Sequence, residues 1–199
     1  MSRHTLTAVA VAAALSLGGS AAVSAQRAAT AVAVFAGGCF WSMEHDLEKV
    51  PGVVDVVSGY SGGRLANPTY EDVVTETTGH LESVRVTYNP AKISYAQLVD
   101  AYFRTTDPTD GGGAFCDRGE SYTPAIFVTA AQRADAEAGK RRAAAALKRP
   151  IATAILPAAP FYPAEGYHQD YAAKNPVRYA VYRQGCGKDR RLKQLWGGR

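Results

Sequence analysis

An apolar run that breaks at two glycines and restarts with helical spacing leaves this chain few choices of fold. Ala31 to Ala36 has the composition of a buried strand, and Gly37-Gly38 permits a sharp turn. Beyond the turn Phe40, Met43, Leu47 and Val50 recur at helical spacing until Pro51-Gly52 stops the pattern. The spacing predicts a strand over 31–36 and a helix over 40–50, with Cys39 where the helix begins. Unpaired N–H groups and the helix dipole stabilise an anion at such a point. A thiol with an ordinary pKa of about 8.5 is lowered there, so part of Cys39 is expected as thiolate at neutral pH. The competing reading is an inert thiol packed as a small core residue.

The N-terminus reads as a removed export signal. Met1 to His4 supplies a positive start, Leu6 to Leu17 is a run of small apolar residues, and Val23-Ser24-Ala25 precedes a cleavage site at Gln26. That run is shorter than a membrane span, so no stable membrane association is expected. The mature chain, 26–199, is expected to form one domain, periplasmic or secreted, with a monomer as the default. Disulfides persist in that setting. The chain has only three cysteines, Cys39, Cys116 and Cys186, so at least one is free or takes part in exchange. The formal charge is +4, and the basic runs over 140–148 and 188–193 lack interleaved aromatics. They read as solvated helix faces, which argues against nucleic-acid binding.

Taken in order, 31–36, 40–50 and 53–57 form a βαβ unit, and 58–69 is a loop rich in Gly, Pro and Asn. Residues 82–88 alternate, with Glu82 on the same face as Val84, Val86 and Tyr88. Ser94 with Gln97 starts a helix carrying Tyr95, Leu98, Val99 and Tyr102. A long loop, 107–122, precedes a strand over 124–128, a helix from Thr129 to Arg149 and a strand over 151–156. The rest is read as loop, the segment 179–187 and a basic tail. Strand, helix, strand, strand, helix, strand is the order of a split βαβ, ferredoxin-like core. The expected class is α+β: a mixed sheet, helices on one face, and long loops above the Cys39 end.

Glu82 is expected to be part-buried, protonated near neutrality and suited to general-acid work. A surface glutamate at a strand end is the bland alternative. Tyr70 and Tyr122 follow Gly- or Pro-rich loops, where a phenol can donate into a site. Asp117 either orients a ligand or pairs with its neighbour Arg118. His45, His80 and His168 are candidate partners for Cys39 in a cysteine hydrolase, and a non-catalytic binding module is a third reading. No metal-ligand spacing, phosphate loop or dinucleotide fingerprint is present in the sequence.

The ordered motifs carry more. Gly37-Gly38-Cys39-Phe40-Trp41, Pro51-Gly52-Val53, Gly59-Tyr60-Ser61-Gly62-Gly63, Asn67-Pro68-Thr69-Tyr70 and Gly79-His80-Leu81-Glu82 succeed one another. Asp107-Pro108, Asp117-Arg118-Gly119 with Tyr122, Phe161-Tyr162-Pro163-Ala164-Glu165 and His168-Gln169 follow. From Ala33 to the C-terminus the chain resembles the A-type peptide methionine sulfoxide reductases. The resemblance implies reduction of the S epimer of methionine sulfoxide, free or in proteins, as repair of oxidised methionine. It implies that Cys39 attacks the sulfoxide sulfur, that Glu82 protonates the oxygen, and that Tyr70 and Tyr122 hydrogen-bond it. Phe40 and Trp41 would hold the methyl group, and Asp117 the polar side of the site. Cys186 matches the position range of the resolving cysteine that closes a disulfide with Cys39, the Gly185 and Gly187 neighbours giving it freedom. Cys116 stands where many members carry asparagine and is the alternative resolver. No cofactor or metal is implied, and an external thioredoxin-like dithiol is the expected reductant.

Overall fold

The computed structural model describes residues 29–197, so the expected export signal and cleavage site lie outside the described residues. In chain order the elements are β1 Ala31–Ala36, α1 Phe40–Leu47, β2 Val53–Ser61, α2 Tyr70–Val73, β3 Leu81–Tyr88, α3 Tyr95–Thr105, β4 Gly113–Ala114 and β5 Asp117–Arg118. There follow β6 Ala125–Val128, α4 Arg133–Leu147, β7 Ala154–Pro157, β8 Phe161–Pro163, α5 Tyr171–Lys174, α6 Pro176–Gly185 and α7 Lys188–Trp196.

The main sheet has the order β7-β6-β1-β3-β2-β8. β1 pairs antiparallel with β3 and β6, and β2 pairs antiparallel with β3 and β8. The inner four strands are thus the expected split βαβ core, and β6–α4–β7 adds a parallel crossover at one edge. Phe35, Val84 and Val86 on the sheet, Phe40, Met43 and Leu47 on α1, and Leu98, Val99 and Tyr102 on α3 form one core. The stretch over 94–105 starts as its capping box demands: Ser94 Oγ accepts from Gln97 N–H while Gln97 Oε1 accepts from Ser94 N–H.

Several expectations need correction. α1 ends at Leu47 because Pro51-Gly52 is preceded by a turn over 48–50. β2 runs on to Ser61 because 58–61 pair with β3 and 59–61 also pair with β8, so Gly59 is a strand residue. The last strand starts at Ala154: the N–H of Ala152 donates to the Pro108 carbonyl instead of extending the ladder. Residues 161–163 are an edge strand, and the basic tail is the helix α7.

Candidate active site

The turn between β1 and α1 is held from behind. Tyr102 Oη donates to the Ala36 carbonyl at 2.7 Å, and Thr106 Oγ1 donates to the Gly37 carbonyl at 3.0 Å. Gly38 has φ +95° and lies against Ala114, a conformation that a side chain would strain. The turn delivers Cys39 to the N-cap of α1, where it is 8% exposed. Its sulfur opens on a cavity of about 200 Å³ that is also lined by Phe40, Trp41, Tyr70, Glu82, Asp117, Tyr122 and Tyr182. The catalytic and substrate-binding residues that the resemblance implies therefore meet in one place.

Glu82 sits on β3 beside the turn, 3% exposed, and its Oε2 accepts from the Phe40 N–H at 3.0 Å. Burial raises its pKa to about 8, against the opposing pull of that hydrogen bond, so it carries a proton at neutral pH. The expected part-buried acid is in fact almost wholly buried. Cys39 departs from expectation. Burial, and then the Glu82 charge, push its thiol well above the usual range, outweighing the Tyr182 hydroxyl and the Trp41 backbone N–H. The substrate-free protein holds a thiol, not the partial thiolate that the helix N-terminus alone suggests.

Tyr70 and Tyr122 line the same cavity as Glu82. Each is positioned by a carboxylate. Glu165 Oε1 accepts from the Tyr70 N–H at 2.8 Å while Oε2 accepts from Tyr60 Oη at 2.9 Å. Glu76 accepts from the N–H and Oγ of Ser121, next to Tyr122. Trp41 stacks on Tyr171 at 3.7 Å, and its Nε1 donates to His168 Nδ1 at 3.0 Å. Phe40 packs against His168 with ring centroids 4.9 Å apart. The result is a rigid apolar wall beside a set of hydroxyl donors.

Asp117 does not pair with Arg118, which bonds Asp110 instead. Its Oδ2 accepts from Tyr182 Oη at 2.6 Å. Tyr182 is the residue that sequence reasoning missed. It belongs to α6, and its spacing from Tyr179 and Cys186 puts all three toward one helix face, a signal present in the chain. The histidine expectations fail. His80 takes the Gly63 N–H and contacts the Leu65 carbonyl, His45 contacts Lys49, and His168 is occupied by Trp41. Among the described residues, no histidine lines the cavity over Cys39.

The cysteine pairing is also different. Cys116 and Cys186 form a disulfide with Cα atoms 4.7 Å apart, and Cys39 is free. Gly185-Cys186-Gly187 is not a loose hinge but the tight joint between α6 and α7, with Cys186 as the α6 C-cap. Cys186 nonetheless lies close to Cys39, because both line a narrow gap shared with Phe115, Tyr182 and Lys188. Lys188 is 2% exposed and pairs with Asp46 at 3.0 Å, so the basic tail contains a buried cation. Among the described residues, two groups of side chains place potential metal ligands within 4.8 Å of one another: Cys116, Asp117 and Cys186, whose sulfurs the disulfide consumes, and Glu44, Glu48 and Asp170.

Residues 31–199 match the family model described as "Peptide methionine sulfoxide reductase". The chain is 58% identical over 188 residues to "Peptide methionine sulfoxide reductase MsrA 2" of Caulobacter vibrioides, covering 94% of this chain and 96% of that one. It is 48% identical to "Peptide methionine sulfoxide reductase MsrA" of Bacillus subtilis, over 84% of this chain and 97% of that one. Among solved structures, the reduced form of Mxr1 from Saccharomyces cerevisiae superimposes with TM-score 0.70 at 33% identity, over 74% of this chain and 86% of that one. Mxr1 in complex with Trx2 gives TM-score 0.50 at 27% identity, over 72% and 85%. With this cavity and these relatives, the chain belongs to the A-type peptide methionine sulfoxide reductases, oxidoreductases acting on sulfur.

Proposed function

We propose that the protein reduces the S epimer of methionine sulfoxide, free or in oxidised proteins, and that its oxidised form comes to rest on Cys116–Cys186. The observation that carries the reading is the cavity itself: a free thiol, a protonated carboxyl and two phenols face one space of about 200 Å³ beside Phe40 and Trp41. The substrate methyl packs on Phe40 and Trp41, and its oxygen points to Glu82, Tyr70 and Tyr122. Cys39 attacks sulfur, Glu82 gives its proton to the oxygen, and Glu82 recovers a proton from the Cys39 thiol. The sulfide leaves, and Cys39 retains the oxygen as sulfenic acid.

Cys186, across the narrow gap, then displaces water from Cys39 and forms a Cys39–Cys186 disulfide. The Cys116 thiol attacks Cys186, which frees Cys39 and leaves the Cys116–Cys186 pair seen in the structure. A thioredoxin-like dithiol returns both to thiols, a reading supported by the solved complex of Mxr1 with Trx2. No metal or cofactor enters these steps. The apolar run over 6–17 supports export to the periplasm or beyond, which N-terminal sequencing of the exported protein would test.

Turnover of the two epimers of methyl p-tolyl sulfoxide, with dithiothreitol as reductant, tests the reading. Sulfide from the S form only, abolished by Cys39→Ser, is expected. Sulfide from neither form, or turnover retained by Cys39→Ser, would overturn it.

A further inference from the structure

The surroundings of the Cys116–Cys186 disulfide are asymmetric, and we infer that its reduction runs in one direction: the external dithiol attacks Cys116, and Cys186 is the sulfur expelled. The inference rests on the relay proposed above.

Cys116 is exposed, Cys186 is half-buried and Cys39 is buried. An incoming protein thiolate therefore meets Cys116 first. Charge favours the same choice. Asp117 Oδ1 lies 3.7 Å from Cys116 Sγ, and an Asp117 carboxylate oxygen lies within 4.8 Å of Cys186 Sγ as well, so the carboxylate bears most closely on a negative sulfur at Cys116. Cys186 lies among cations. Lys188 lines the same gap, and its Nζ stands 5.3 Å from the Phe115 ring. Arg183, one turn before Cys186, lines it too. Both are matched by acids, Lys188 by Asp46 and Arg183 by Asp46 and Asp189.

Arg190 is different. Its guanidinium folds back over the Cys186–Gly187 joint, so close that a Cβ at Gly187 would stand 2.7 Å from Nη2. Among the described residues it forms no ion pair, whereas its neighbour Arg191 is held by Asp107. Arg190 and Cys186 also share a wall of an open polar cleft of about 680 Å³, which gives an expelled thiolate room and water. The nine-residue helix α7 starts two residues after Cys186 and adds the positive end of its dipole.

A sulfur whose thiolate is stabilised leaves faster in thiol–disulfide exchange. The partner thiolate bonds to Cys116 Sγ as the Cys116–Cys186 bond breaks, and the electron pair departs on Cys186. The partner's second thiol then attacks its own first sulfur, releasing Cys116, which takes a proton. Two electrons pass from partner to protein. Arg190 is a positioning residue in this scheme: it touches neither substrate nor the attacking sulfur.

The experiment uses the full mature chain, oxidised by one equivalent of methionine sulfoxide, and a thioredoxin whose second active-site cysteine is serine. Peptide mapping of the trapped mixed disulfide is expected to place thioredoxin on Cys116. Thioredoxin on Cys186 would overturn the inference while leaving the relay intact, and thioredoxin on Cys39 would overturn both. In the reduced Cys116→Ser protein, the pH midpoint for alkylation of Cys186 is expected to rise by half a unit to one unit in Arg190→Gln and to return in Arg190→Lys. An unchanged midpoint in Arg190→Gln would remove Arg190 from the scheme.

Discussion

Replacing Glu82 by glutamine separates the chemistry of the buried carboxyl from its effect on stability. The amide oxygen still accepts the Phe40 N–H, so the turn keeps its anchor. What disappears is an ionisable group whose pKa rises from 4.5 to about 8 on folding. The folded protein binds that proton more tightly than the unfolded chain does. Its contribution is therefore fully present below pH 4.5 and is lost as pH rises to about 8. At about 1.4 kcal/mol per pH unit, the wild type loses roughly 3 kcal/mol relative to Glu82→Gln between pH 5 and pH 8. Urea unfolding of both proteins at pH 5, 6, 7 and 8, with the cysteines in one redox state, measures the difference directly. The variant should gain on the wild type progressively across that window while its kcat falls about 10²- to 10⁴-fold. A stability difference that stays constant from pH 5 to 8 would refute the buried, protonated carboxyl, and an undiminished kcat would refute its role as acid.

Four further outcomes are expected. Tyr182→Phe removes the 2.6 Å hydrogen bond to Asp117, which should cost about 1–2 kcal/mol on unfolding and about tenfold in kcat with KM little changed. Gly38→Ala places a Cβ 2.7 Å from that of Ala114 at φ +95°, so its unfolding free energy should fall by about 2 kcal/mol or more, and Cys39 alkylation kinetics should change. In Cys186→Ser the Cys39 sulfenic acid should persist long enough for dimedone labelling. Cys116→Ser should instead stop at Cys39–Cys186, with a normal first turnover and a slower thioredoxin-dependent cycle.

The strand, the double glycine and the helix around Cys39 were legible because local spacing decides them, and Glu82 was legible because an acid broke the pattern of an apolar face. The extent of β2 was not, since Gly59 and Tyr60 are strand residues only through their partners on β3 and β8. Lys188 reads as one more charge in a basic run, and only the fold shows Asp46 beside it. The pairing of Cys116 with Cys186, 70 residues apart, depends on how the 107–122 loop meets the α6–α7 joint. No spacing rule encodes such a meeting. The ionisation of Cys39 was misjudged for a related reason. A helix N-terminus is a local feature, whereas the burial that overrides it belongs to the assembled site.

A peptide-mapped thiol inventory after one turnover tests the central claim most directly. Fully reduced protein would be mixed with one equivalent of S-sulfoxide and no reductant, quenched in acid and digested. The account predicts one sulfide per protein, two thiols lost, the Cys116–Cys186 disulfide recovered and Cys39 free. Recovery of Cys39 in the final disulfide, with Cys116 still a thiol, would contradict it.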